Sequence, residues 1–222
     1  MTAILFGSIS TIADTSELQR EAFNRAFASH GLDWQWGQEE YAEMLATSGG
    51  RDRIAEHARS TGADVDADAV HQTKSEIFQQ LLGEAELTPR DGVVETITAA
   101  REAGHKVALV TTTSRENVMA LGRAVADRIS FDDLDLVVDR TQVEQPKPDG
   151  EAYTFALAAL GEPAGSCVAV EDNLGGVEAA ARAGLSVVAF PNANTAGHDF
   201  ERATARRDRL ELADLQSFTQ TA

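Results

Sequence analysis

A single cysteine, Cys167, occurs in this chain of 222 residues, which excludes an internal disulfide and a zinc site built on several cysteines. Long hydrophobic runs are also missing, and none approaches the roughly 18 residues that a transmembrane helix needs. No basic segment precedes the first apolar stretch, so a signal peptide is not expected. Together these absences predict a cytoplasmic protein with no membrane partner.

Positive charge is scarce as well. The chain has 19 lysines and arginines against 36 aspartates and glutamates, which gives a formal net charge of −17. Such a chain repels nucleic acid over long range, so no nucleic-acid partner is expected. The run Arg202–Arg209 contains Asp208 and follows Glu201, and this mixture of signs predicts a solvated helix face rather than a basic patch.

Short apolar runs alternate with helical patterns over most of the chain. Each run is apolar on both faces, which is typical of the buried strands of a parallel sheet. Strands separated by helices predict an α/β fold, a doubly wound parallel sheet. The candidate strands are Ala3–Phe6, Val107–Thr111, Leu134–Asp139, Cys167–Glu171 and Ser186–Phe190.

One segment, 16–87, interrupts this alternation because it has helical periodicity only. Its apolar positions predict four helices inserted after the first strand. We therefore expect two domains: an α/β core formed by residues 1–15 and 88–222, and a helical cap formed by residues 16–87. Ligands of such sheets bind at the carboxyl ends of the strands, so the site is expected between cap and sheet.

Polar residues stand in three places where a predicted strand ends or a helix begins. Thr111 and Thr112 stand before a helix, where hydroxyls and free backbone N–H groups can bind an anion or simply cap the helix. Lys147 lies in a proline-flanked turn and is either a ligand-binding cation or a solvated charge. Glu171 and Asp172 end a strand, where carboxylates can hold Mg²⁺ or merely close the strand.

The order and spacing of these residues resemble the haloacid dehalogenase superfamily over nearly the whole chain. Within it, the chain is most similar to the β-phosphoglucomutase-like branch and to the xylulose-bisphosphate phosphatases that accompany Rubisco. The resemblance implies that Thr111 binds the transferring phosphate together with Lys147, which begins the segment KPDGEAY. It also implies that Glu171 and Asp172, in VEDNLGGVEAA, form the acidic motif at the Mg²⁺ site.

The stretch EAFNRAFASHGLDWQW, followed by SGGRDRI, resembles the cap of the bisphosphatase group. The resemblance places Gly50, Arg51 and Arg53 near the second, non-transferring phosphate of a substrate.

The first motif departs from the family pattern. Asp-x-Asp-Gly-Thr is expected after the first strand, but Gly7 stands at the position of the nucleophilic aspartate and Ile9 at that of the general acid/base. Glycine cannot attack phosphorus and isoleucine cannot transfer a proton, so the family's phosphatase chemistry is predicted to be absent or very weak. Mg²⁺ loses a carboxylate ligand and is predicted to bind weakly or not at all.

Three functions remain open on this sequence. The first is a non-catalytic binder of a small phosphorylated ligand or another anion, held by Thr111, Thr112, Lys147 and the loop at Ser8. The second is an active sugar phosphate phosphatase that uses a substitute group, such as Ser8, Ser10 or Thr11. The third is a scaffold with a vestigial site and an unidentified protein partner.

Overall fold

The computed structural model describes residues 1–7, 9–46 and 49–219. Within these residues, six parallel strands form a sheet in the spatial order β3-β2-β1-β4-β5-β6. This arrangement confirms the predicted doubly wound parallel sheet. The strands are β1 (Ala3–Phe6), β2 (Lys106–Val110), β3 (Leu136–Val138), β4 (Cys167–Glu171), β5 (Ser186–Ala189) and β6 (Ala205–Arg206).

Helices cover both faces of the sheet, and none in the described part of the chain is long and apolar enough to cross a membrane. The α-helices are α1 (Ile9–Ile12), α2 (Ser16–Ser29), α3 (Gln38–Met44), α4 (Gly50–Thr61), α5 (Ala67–Glu84), α6 (Val93–Glu102), α7 (Arg115–Ala124), α8 (Glu151–Leu160), α9 (Leu174–Arg182) and α10 (Leu212–Ser217).

Side-chain alternation along the strands divides the core into two layers. Ile4 and Phe6 of β1 pack with residues of α6, α7 and α10 on one face of the sheet. Leu5 points to the other face and packs with residues of α8 and α9. Because both faces are covered, β1 to β5 are apolar apart from polar residues at the ends of some strands, as expected for a parallel sheet.

The C-terminal strand differs from the sequence-based expectation. The solvated helix predicted over Arg202–Arg209 is wrong, because this run contains the edge strand β6. The Thr204 backbone N–H donates to the Val187 carbonyl at 2.8 Å, and the Arg207 N–H donates to the Ala189 carbonyl at 2.9 Å. Pairing with β5 thus decides the conformation of a segment whose own sequence favours no strand.

The helices α2 to α5, called the helical insertion below, follow β1 and have an aromatic core of their own. The Trp36 ring lies 4.8 Å from the Phe23 ring and 4.7 Å from the Phe27 ring between centroids. The long helix α5 joins this core to that of the sheet, since Val70 belongs to the first and Phe78 to the second. The domain boundaries at residues 15–16 and 87–88 stay predictions.

Arg90 connects the end of the helical insertion to the sheet. Its guanidinium donates to the carbonyls of Ser10 (3.1 Å), Phe190 (2.7 Å) and Pro191 (2.5 Å), and it lies 3.6 Å from the centroid of the Phe190 ring. The Arg90 backbone N–H also donates to the Ile12 carbonyl at 2.8 Å. One side chain therefore joins the segment after β1 to the loop after β5.

We expect Arg90→Met to lower the free energy of unfolding by about 2–4 kcal/mol, because three carbonyls lose a charged donor. Chemical denaturation measures this change. The control is Arg59→Met, which removes an exposed arginine paired with Glu56 and the Ala55 carbonyl. A loss no larger than that of the control contradicts the role given to Arg90.

Candidate functional site

A cleft of about 480 Å³ opens at the carboxyl ends of the central strands and is bounded on its other side by the helical insertion. Gly7 and Ile9 line it after β1, Thr111 and Thr112 after β2, and Asp172 after β4. Strand β1 lies between β2 and β4, where the chain order reverses. This is the place at which doubly wound sheets bind ligands.

Neither position of the departing first motif offers a polar side chain to the cleft. Gly7 is buried, and its N–H donates to the Val170 carbonyl at 2.8 Å. Ile9 is only 5% exposed and packs in the core on one face of the sheet. The predicted phosphate-binding residue Ser8 lies outside the described residues.

Glu171 fills the space beside Gly7. A Cβ atom added to Gly7 would lie 2.1 Å from the Glu171 carboxyl carbon, and one added to Gly176 would lie 2.0 Å from the same atom. The carboxyl group therefore sits between two glycines, and any side chain at either position would displace it. Gly176, in the first turns of α9, is a site residue that the sequence analysis missed.

Lys147 holds the Glu171 carboxylate from the loop before α8. Its Nζ atom lies 2.6 Å from Glu171 Oε1, 2.7 Å from the Val110 carbonyl oxygen and within hydrogen-bond distance of the Gly7 carbonyl oxygen. An ammonium group has three protons, and these three acceptors lie closer to it than the Tyr153 hydroxyl oxygen at 3.4 Å, so they account for all three. Lys147 thus connects the ends of β1, β2 and β4.

Tyr153 completes this buried group. Its hydroxyl donates to Glu171 Oε1 at 2.8 Å, and both side chains are fully buried. Burial raises the pKa of Glu171, while Lys147 opposes that rise. Burial and the neighbouring Glu171 raise the pKa of Tyr153 well above its usual value, so the phenol stays protonated and donates.

Asp172 differs from Glu171 because it faces the cleft. Its Oδ1 accepts from the Asn173 amide at 3.0 Å, and its Oδ2 accepts from the Asn192 amide at 2.8 Å. Asn192, on the loop after β5, is a cleft residue that no motif in the sequence indicated; only the fold brings it next to Asp172.

The carboxylates at the strand ends fit a divalent cation poorly. Mg²⁺ prefers several oxygen ligands in octahedral geometry. Glu171 is enclosed by Lys147 and Tyr153, and Gly7 supplies no carboxylate, which leaves Asp172 as the carboxylate of the acidic motif that reaches the cleft. Within residues 1–7, 9–46 and 49–219, no group of three or more His, Cys, Asp or Glu is placed to hold a metal ion.

Thr111 and Thr112 line the cleft just before the N-terminus of α7. The Thr111 hydroxyl accepts from the Thr113 N–H at 3.2 Å, and Ser114 caps the helix by accepting from the Asn117 N–H at 3.3 Å. The hydroxyl groups therefore already shape this loop. A role in phosphate binding stays a prediction for both threonines.

The residues that the resemblance places near a second phosphate belong to the helical insertion. The Arg53 Nε donates to the Met44 carbonyl at 3.0 Å, and burial lowers the pKa of Arg53. Arg51 is half exposed and pairs with Asp68 at 2.9 Å and with Asp52 at 3.2 Å.

Gly50 lies against the aromatic side of this region. A Cβ atom added to Gly50 would be 3.0 Å from His71 Nε2 and 3.0 Å from the Phe23 ring. Gly50, Arg51 and Arg53 all line the cleft, and ligand binding by them stays a prediction.

Two further basic residues of α5 line the cleft, and the sequence analysis did not single them out. Lys74 is 4% exposed, its Nζ lies 4.8 Å from the ring centroids of both Phe23 and Phe78, and it donates to Gln19 at 3.1 Å. Among the described residues, it pairs with no carboxylate.

Burial and the nearby Arg53 lower the pKa of Lys74 to about 7. Burial, followed by the charge of Lys74, lowers the pKa of His71 to about 4, so its ring is neutral at neutral pH. Helical periodicity alone could place both residues on one face of α5, but it could not show that this face covers a polar cleft.

Comparisons with known proteins show the family of this chain. The model of the haloacid dehalogenase-like hydrolase family matches residues 1–184. Protein CbbY of Cereibacter sphaeroides is 38% identical over 99% of this chain and 97% of its own length.

Two crystal structures of CbbY from Rhodobacter sphaeroides are similar to the fold described here. One is a complex with phosphate and the other is a mutant in complex with xylulose-(1,5)bisphosphate. Each aligns with a TM-score of 0.87 at 38% identity over 94% of both chains. These matches confirm the resemblance inferred from the motifs, and the chain belongs to the haloacid dehalogenase-like hydrolase family.

Proposed function

We propose that this protein binds a small phosphorylated ligand of the sugar-phosphate class in the strand-end cleft and does not hydrolyse it at the rates of its family. The observation that carries the proposal is the first motif. Gly7 has no atom that can attack phosphorus, and the space beside it is filled by a carboxylate that does not reach the cleft.

The basic side of the cleft supports an anionic ligand. Lys74 and His71 line it on α5, and Arg53 lines it on α4. A buried ammonium group is costly, and it is retained where an anion offsets the cost. The CbbY crystal structures hold phosphate and a sugar bisphosphate, which favours the same class of ligand here.

Substitute nucleophiles have less support. The Ser10 hydroxyl lies 2.9 Å from the Thr15 hydroxyl and is 5% exposed, so its described partner is not a general base. A neutral His71 lines the same cleft from α5. Nucleophilic catalysis by serine requires a base within hydrogen-bond distance, and the partner that the described residues give the Ser10 side chain is a hydroxyl group.

The proposal predicts binding without turnover. Phosphate release from a panel of sugar mono- and bisphosphates is expected at background rates, at least about 10⁴-fold below an enzyme with an intact nucleophile. The matched variant is Asp172→Asn, which changes the cleft carboxylate and keeps its shape. Equal release by both proteins identifies contamination, whereas release that falls only in the variant supports an active hydrolase.

Ligand binding is predicted not to depend on Mg²⁺, although phosphatases of this family typically use it. The thermal stabilisation by a sugar phosphate should be the same in EDTA and in millimolar Mg²⁺, because Asp172 is the single carboxylate of the acidic motif that faces the cleft. Stabilisation that appears only with Mg²⁺ overturns this prediction.

Lys74→Met is expected to weaken the binding of a sugar phosphate by at least about tenfold and yet to stabilise the free protein. A buried charge then gives way to an apolar side chain between Phe23 and Phe78. The expected gain at pH 7 is about 1–3 kcal/mol. Calorimetric titration and urea unfolding measure the two effects.

The gain in stability of Lys74→Met should shrink as the pH rises from 7 towards 10.5. Between the folded pKa of about 7 and the ordinary value of 10.5, the unfolded lysine binds a proton that the folded one has lost, so alkali favours the wild-type fold. The control is Lys106→Met, which removes a partly exposed lysine paired with Glu162. Similar effects of both variants on binding contradict a ligand role for Lys74.

A further inference from the structure

The three protons of the Lys147 ammonium group are all directed to the protein itself. Two go to the main-chain carbonyls of Gly7 and Val110, and the third goes to Glu171. The Lys147 side chain is 8% exposed and the Glu171 side chain is 0% exposed. A phosphate that binds Lys147 therefore has to compete with a carboxylate that is already buried and in place.

The position of Glu171 depends on two glycines. Its carboxyl carbon occupies the space that side chains at positions 7 and 176 would need. An aspartate at position 7 would exclude this placement. The glycine at position 7 thus does more than remove a nucleophile, since it makes room for a different anion beside Lys147.

The Glu171 carboxylate also has one unused oxygen. Oε1 accepts from Lys147 and Tyr153, while Oε2 is buried and accepts no hydrogen bond from the residues that the structure describes. The carboxylate is therefore held by its attraction to Lys147 rather than by a complete set of donors, and removing its charge leaves Lys147 without a counterion.

We propose that Glu171 is an internal anion, which occupies the place beside Lys147 that the sequence resemblance assigns to a phosphate. This inference rests on the proposed function and narrows its ligand class. The cleft binds a ligand through one anionic group at the helical insertion and gains little from a second phosphate at the strand ends. The ligand is then a monophosphate rather than a bisphosphate.

The direct test compares fructose 6-phosphate with fructose 1,6-bisphosphate by calorimetric titration. In the wild-type protein, the two dissociation constants are expected to agree within about threefold. Glu171→Gln keeps the shape of the side chain and leaves the Lys147 charge uncompensated. It is expected to tighten bisphosphate binding by on the order of tenfold and monophosphate binding by less than about threefold.

Glu162→Gln is the matched control. It removes the same charge from a second lysine–glutamate pair, in which Lys106 Nζ lies 2.8 Å from Glu162, and that pair lies outside the cleft. No change in either affinity is expected. A wild-type preference for the bisphosphate of tenfold or more, or no gain in Glu171→Gln, overturns the proposal.

A second measurement does not involve a sugar phosphate. Glu171→Ala leaves a cavity between Gly7 and Gly176 beside the Lys147 ammonium group, and formate should fill it. We expect formate to raise the melting temperature of Glu171→Ala and not that of the wild type or of Glu162→Gln. If formate stabilises Glu171→Ala but the wild type binds no sugar phosphate, the proposed function is rejected and the internal anion is retained. If formate has equal effects on all three proteins, the internal anion itself is rejected.

Discussion

The buried pair of Lys147 and Glu171 is the interaction on which the strand ends depend. It connects three central strands, because Lys147 reaches the carbonyls of Gly7 after β1 and Val110 at the end of β2 as well as the carboxylate that ends β4. Taking two charges out of water is costly, and the cost is offset only when hydrogen bonds complete the arrangement. Tyr153 provides one such bond from α8.

Because Glu171 neutralises Lys147, the two sides of the cleft present different charges. At the strand ends, the positive charge of Lys147 is balanced within the protein, and Asp172 adds a negative charge that faces the cleft. On the helical insertion, Lys74 pairs with no carboxylate among the described residues, and burial and the nearby Arg53 lower its pKa to about 7. The strand ends and the helical insertion therefore differ in the charge that they present to a ligand. Both line the same cleft, in a chain that is strongly acidic as a whole.

Much of the architecture follows from the sequence alone, because buried strands and amphipathic helices have regular patterns. The bounds of β1 and β4 agree with the predicted ones. The edge strand β6 could not be predicted, since its conformation depends on pairing with β5 rather than on its own residues.

The sequence predicted which residues lie at the site, but it did not predict the contacts that their side chains make. The positions of Thr111, Lys147 and Asp172 along the chain indicated a strand-end cleft, and all three line it. The direction in which Glu171 points could not be inferred, because it depends on empty space beside two glycines that are far apart in sequence. The burial of Lys74 depends in the same way on the packing of α5 over the cleft.

The departures from the family motif form one consistent set rather than a single lost residue. Ile9, at the position that the resemblance assigns to the general acid/base, is an apolar side chain packed in the core. Gly7 gives its side-chain volume to Glu171, and Gly176 leaves room on the other side of the same carboxyl group. An aspartate introduced at position 7 alone would therefore meet the Glu171 carboxylate in the same space. Glu171 would have to move away from position 7 to make room, and that movement would break the ion pair with Lys147 that connects the strand ends.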